Sequence, residues 1–119
     1  MAQLNCIIIL ISIASCVLAE ELYNDQYDHI DVNNILSNDK LRNQYINCYM
    51  ETEPCLTADA KFFRDMASEA FQTKCKKCTE KQKEMMDTVV DWYAQNKPDE
   101  WQKIVAKSLE DMKKKNAGQ

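Results

Sequence analysis

A single glycine, Gly118, stands in this chain of 119 residues, and only Pro54 and Pro98 join it as strong conformational punctuation. Tight hairpin turns need positive φ at one or two positions and reach it through Gly or Asn-Gly pairs, which are missing here. A sheet protein of this length is therefore a poor fit, and the apolar spacing points to helices. At about 100° per residue, Ala60, Phe63, Met66, Ala67, Ala70 and Phe71 share one face, with Phe62 at its margin. Gln82, Met85, Met86, Val89, Val90, Trp92 and Tyr93 form a second stripe. Trp101, Ile104, Val105, Leu109 and Met112 form a third, and Leu41, Tyr45, Cys48 and Tyr49 a narrower fourth. The first two stripes are wide, as in helices buried against several neighbours.

Helix boundaries follow from capping chemistry. Thr79 with Gln82 three residues on is a capping box, opening a helix that runs to about Asn96. Pro98 suits the first position of the next helix, with Asp99 and Glu100 favourable at its amino end and Lys113 to Lys115 near its carboxyl end. Thr57 caps a helix over 59–73, Asp31 a short turn over 32–36, and Asn38 or Asp39 a helix reaching Met50. Residues 20–30 read as an extended arm.

The first nineteen residues differ in kind from the rest. They carry no charge, whereas all 15 basic and 19 acidic side chains lie beyond Ala19. An apolar run from Cys6 to Leu18, with Val17 and Ala19 as small residues before a cleavage point, predicts a signal peptide over 1–19 and a secreted domain over 20–119. No other stretch approaches membrane length, so no stable membrane insertion is expected after cleavage. The net charge of −4 argues against nucleic acid or an anionic membrane as partner.

Removing residues 1–19 leaves four cysteines spaced C-x6-C-x19-C-x2-C, from Cys48 to Cys78. A zinc site needs thiolates, at odds with an oxidising compartment, and a redox C-x2-C needs a βαβ setting. Disulfides remain, either across helices or between near neighbours, and spacing alone does not choose between them.

Three stretches carry a resemblance: Tyr23-Asn24-Asp25-Gln26-Tyr27-Asp28; Asn47-Cys48 with Cys55; and Cys75-Lys76-Lys77-Cys78-Thr79-Glu80-Lys81-Gln82. Together, over residues 23–107, the chain resembles the insect chemosensory protein family of the OS-D type. The resemblance implies an all-α globule of five to six helices around an apolar channel, with local disulfides Cys48–Cys55 and Cys75–Cys78. It also implies that Tyr27 and Tyr45 lie near the channel and Trp101 near its wall, with long-chain fatty acids, alcohols, esters or related semiochemicals as ligands. The chain departs from the family in a middle cysteine spacing one residue longer than usual, placed near Leu56. It also lacks the YDP-like turn and basic sixth helix that many members carry, so one wall of the channel is expected to be missing or shifted.

Catalysis is not expected. His29 is the only histidine, so no Ser/His/Asp or Cys/His constellation can be assembled around a second one. No cofactor or metal site is expected either. On the residues alone, the methionine and aromatic stripes read as close-packed core. The resemblance turns them towards a monomeric carrier in which Tyr45, Met66, Met85, Val89, Trp101 and Val105 contact a small apolar ligand. Tyr45, Tyr93 and Trp101 each add a polar handle to a large apolar body, and the ligand's head group is expected at Tyr27 or Tyr45. The competing reading is a secreted interaction or developmental protein on the same fold. A saposin-like domain fits less well, since that class uses three disulfides.

Overall fold

The structure, a computed structural model, describes residues 21–118. The expected signal peptide lies outside the described residues. Five helices follow one another: α1 (Val32–Leu36), α2 (Asp39–Tyr49), α3 (Ala58–Thr73), α4 (Glu80–Asn96) and α5 (Pro98–Ala117), with no strand among the described residues. Helix α3 packs against α2 and α5, while α4 packs against α1 and α5.

Each start has the cap that its sequence announces. Asp31 accepts from the Asn33 amide, Asn38 from Leu41 and Thr57 from Ala60. At α4 the capping box is complete: Thr79 Oγ1 accepts from the Gln82 amide at 3.1 Å, and Gln82 Oε1 from the Thr79 amide at 3.0 Å. Pro98 opens α5, where its missing N–H costs nothing. Residues 20–30 were expected to be extended, but a turn over 26–29 interrupts the arm. Asn24 starts it by accepting from the Gln26 amide.

The disulfides join near neighbours, Cys48–Cys55 and Cys75–Cys78, at the α2–α3 and α3–α4 corners. At the second corner the chain turns through two consecutive left-handed residues, Lys74 (φ 56°) and Cys75 (φ 62°). The Cys75 amide reaches back to the Ala70 carbonyl at 2.8 Å, closing the end of α3. A glycine would take this conformation freely; Lys74 takes it at a cost, against the constraint of the adjoining bond and the packing of Ala70, Cys75 and Cys78.

The main core gathers Leu36, Tyr49, Tyr93 and Ile104, with Ile46, Phe71, Val89 and Trp101 packed around them. Phe71 meets Trp101 edge-on at 5.6 Å, and Tyr93 stacks on Trp101 at 6.0 Å. The α3–α5 seam is polar instead. Tyr49 donates to Ser68 Oγ, Ser68 donates to Asp111, and Lys107 is paired with both Asp111 and Glu51. Gln72 donates to Ser108, which is 1% exposed, and Lys115 pairs with Glu69.

That seam corrects the third stripe. The residues that α5 turns inward are Trp101, Ile104, Lys107, Ser108 and Asp111, whereas Val105 and Leu109 are exposed. The buried face is rotated by about one residue from the apolar stripe, because α3 offers Ser68, Glu69 and Gln72 on the matching edge and a polar partner satisfies them. Helix α5 also continues to Ala117, beyond the expected end near Lys113 to Lys115.

Replacing Lys74 with Gly should raise stability by about 0.5–1 kcal/mol, the relief of the left-handed conformation less the added freedom of the unfolded chain. Chemical denaturation measures it; a loss of stability would show that the Lys74 side chain contributes more than its backbone costs.

Candidate functional site

All five helices contribute to a cavity of about 170 Å³. Its wall is built from the inward stripes of α3 and α4: Phe63, Met66, Ala67 and Phe71 on one side, and Met85, Met86, Val89 and Tyr93 facing them. Ile35 and Leu36 close it from α1, Tyr45, Ile46 and Tyr49 from α2, and Trp101 and Ile104 from α5. The void is slightly larger than one that holds benzene, about 150 Å³, and smaller than the roughly 300 Å³ at which pockets for drug-sized ligands begin. A long alkyl chain therefore needs the lining to yield. Met66, Met85 and Met86 are unbranched and flexible enough to do so.

Of the residues expected to touch a ligand, Tyr45, Met66, Met85, Val89 and Trp101 line this cavity. Val105 does not. It is 37% exposed and belongs to an outer groove between α3, α4 and α5, shared with Ala70, Met86 and Val90, because the polar seam turns it outward. Tyr27 also lies outside the lining, tilted against Phe62 at 5.2 Å and Phe63 at 6.4 Å. It supports Phe63, which is in the wall, from behind. Tyr93, which the sequence offers as a polar handle but not among the ligand contacts, is also in the lining. It lies at the cavity's centre of packing, 1% exposed.

The polar groups in the wall are mostly occupied. Tyr45 donates its hydroxyl to Asp59 on α3, and burial, reinforced by this contact, raises the phenol pKa well above the usual tyrosine range. Burial raises Tyr49 likewise. Gln82 donates to the Asn24 carbonyl at 2.9 Å and to Asp28 at 3.1 Å, so the wall of α4 also holds the amino-terminal arm. Arg42, 6% exposed, donates to the Leu36 carbonyl at 2.7 Å and pairs with Asp39 at 2.9 Å, with its guanidinium 4.6 Å from the Trp92 ring centre. Arg64 bonds Asp65 and the Cys55 sulfur. No group of three or more metal-ligating side chains occurs among the described residues.

Three carboxylates at the helix contacts sit below their ordinary range. At Glu69, hydrogen bonds from Lys115 and Tyr23 lower it. At Asp59 and Asp111, burial pushes upward but is outweighed, by Thr57, Tyr45 and backbone amides at Asp59 and by Lys107 and Ser68 at Asp111.

A helical shell around an apolar cavity, with most of its polar wall groups engaged in holding the shell, defines a protein that binds a small apolar ligand. The chain belongs to the insect pheromone-binding family, A10/OS-D, which its residues 23–116 match. It is 37% identical over 91 residues to the ejaculatory bulb-specific protein 3 of Drosophila melanogaster, 76% of this chain and 71% of that one. Over 103 residues it is 36% identical to the allergen Tha p 1 of Thaumetopoea pityocampa, 85% of this chain and 81% of the relative. Among solved structures it superposes on a chemosensory protein in complex with bromo-dodecanol with a TM-score of 0.68 at 34% identity, covering 72% of this chain and 85% of that one. Family and neighbour are ligand-binding proteins, and no described helix is long and apolar enough to cross a membrane.

Groups with a lowered folded pKa stabilise above their unfolded value and lose that contribution as pH falls through the folded one. Stability set by Asp59, Glu69 and Asp111 should thus begin to fall near the ordinary values of 3.8 and 4.5 and continue downward. Urea midpoints recorded from pH 6 to pH 2.5 check this; a flat profile across that range would contradict it.

Proposed function

We propose that this protein is a secreted, monomeric carrier of one long-chain amphiphile of roughly C12 to C18, such as a fatty acid, alcohol or ester, held between the helices. The observation that carries the reading is the apolar cavity at the junction of all five helices, lined by three adaptable methionines. The likeness to a chemosensory protein complexed with bromo-dodecanol supports it independently. Secretion rests on the uncharged apolar stretch over 1–19 and suits a domain stapled by disulfides. The alkyl chain lies along Met66, Met85 and Val89, with Trp101 at the wall and Tyr45 opposite. The competing reading, an interaction protein on the same fold, has exposed Val105 and Leu109 in its favour.

Displacement of a fluorescent apolar probe by C12 to C18 ligands separates the two. Micromolar affinity, about −8 kcal/mol, is within reach of a buried alkyl chain after association costs. No displacement below about 100 μM, roughly −5.5 kcal/mol, would favour the interaction protein. Ligand should quench or shift Trp101, which lines the cavity, more than Trp92, which lies under Arg42 outside it. Titrations of Trp101→Phe and Trp92→Phe assign the signal. A response confined to Trp92 would contradict binding in this cavity.

A further inference from the structure

Among the described residues, Tyr93 is the largest side chain buried to less than 2% exposure, and it lines the cavity. Its hydroxyl has no hydrogen-bond partner among the described residues. A buried hydroxyl left unpaired is costly, and tyrosines in protein interiors normally find a partner for theirs. The other polar groups of the wall are already taken: Tyr45 by Asp59, Tyr49 by Ser68, Gln82 by Asn24 and Asp28, Arg42 by Leu36 and Asp39. The indole N–H of Trp101 also lacks a partner, but that residue is only half-buried and solvent can reach it.

We infer that the Tyr93 hydroxyl is the hydrogen-bonding group for the ligand's terminal oxygen, so the cavity selects amphiphiles with an oxygen head over alkyl chains without one. This rests on the carrier reading and narrows it. The phenol is well placed to donate. Burial is the main cause pushing its pKa up to about 12, Arg42's charge working downward and that of Glu100 upward, so it stays a neutral O–H at physiological pH. The ring is fixed between Trp92 at 5.0 Å and Trp101 at 6.0 Å, which holds the hydroxyl in place before a ligand arrives. Arg42, 6% exposed and part of the same lining, adds a positive charge that makes a carboxylate or hydroxyl oxygen a better guest than an ammonium. A head group at Tyr93 lies at the far end of α4 from the Gln82 side, which orients the alkyl tail along Val89, Met86 and Met85.

Tyr93→Phe keeps the ring and removes the oxygen. The test compares it with the unmodified protein against 1-dodecanol, dodecanoate and 1-chlorododecane by probe displacement, and records the thermal midpoint without ligand. Affinity for dodecanol should fall about three- to tenfold, the range of one neutral hydrogen bond, and that for dodecanoate by at least as much because its acceptor is charged. That for 1-chlorododecane should change less than twofold, and the unliganded midpoint should hold or rise because an unpaired group has been removed. Equal weakening of all three ligands with a lowered midpoint would overturn the assignment, making the hydroxyl a structural group. Unchanged binding of the oxygen-headed ligands would overturn it too. If the unmodified protein bound none of the three, the carrier reading itself would fall, an outcome recognisable without the variant.

Discussion

Gln82 uses both ends of its side-chain amide where three segments meet. Its oxygen closes the capping box with Thr79, while its nitrogen holds Asn24 and Asp28 of the arm, and Thr79 Oγ1 donates to the other oxygen of Asp28. The first turn of α4, the arm and the Cys75–Cys78 corner are thereby locked together, with the Tyr23 amide bound to the Lys77 carbonyl beside them. Gln82 is 4% exposed and part of the cavity wall. Buried polar groups stabilise only when fully satisfied, and this one is. Small domains of this size bury a smaller fraction of their surface than large ones, so such corners and two local disulfides supply rigidity that a larger core would otherwise give.

That rigidity is what permits a void. An empty apolar space costs the contacts its lining lacks, and a small domain tolerates one only if its helices are held from outside the void. Here the holding contacts run around and behind the wall: the polar α3–α5 seam of Ser68, Gln72, Ser108 and Asp111, the Tyr45–Asp59 bond between α2 and α3, and the Arg42 contacts between α1, α2 and Trp92 of α4. Much of the remaining lining is methionine, phenylalanine and aliphatic, and these side chains can shift without breaking hydrogen bonds. Tyr93 is the exception, fixed in position with its hydroxyl unspent.

Much of this was legible in the sequence. The two wide stripes over α3 and α4, the Thr79–Gln82 box and Pro98 at the start of α5 follow from local spacing and capping, and local rules decide them. The pairing of the cysteines came only through the resemblance. Helix α5 shows where hydrophobicity misleads: Val105 and Leu109 continue an apolar stripe, yet the buried face carries Ser108 and Asp111, because complementarity to α3 outweighs the stripe. Nothing in the letters marks Lys74 and Cys75 as left-handed, since the corner forces non-glycine residues there. Tyr27 followed the family expectation toward the channel but stands one aromatic layer behind it. The orphan hydroxyl of Tyr93 was invisible for a simpler reason: a missing partner can be read only once all the neighbours are in place.

A ligand held as proposed enters between the helices and makes room by moving the methionines of the wall. Methyl-labelled methionine followed by NMR during titration with 1-dodecanol tests it most directly. Large saturable shifts are expected at Met66, Met85 and Met86, with Met50 and Met112, which lie outside the lining, left nearly unchanged. Shifts concentrated at Met112, beside the exposed Leu109 on α5, would place the ligand on the outer surface and contradict it.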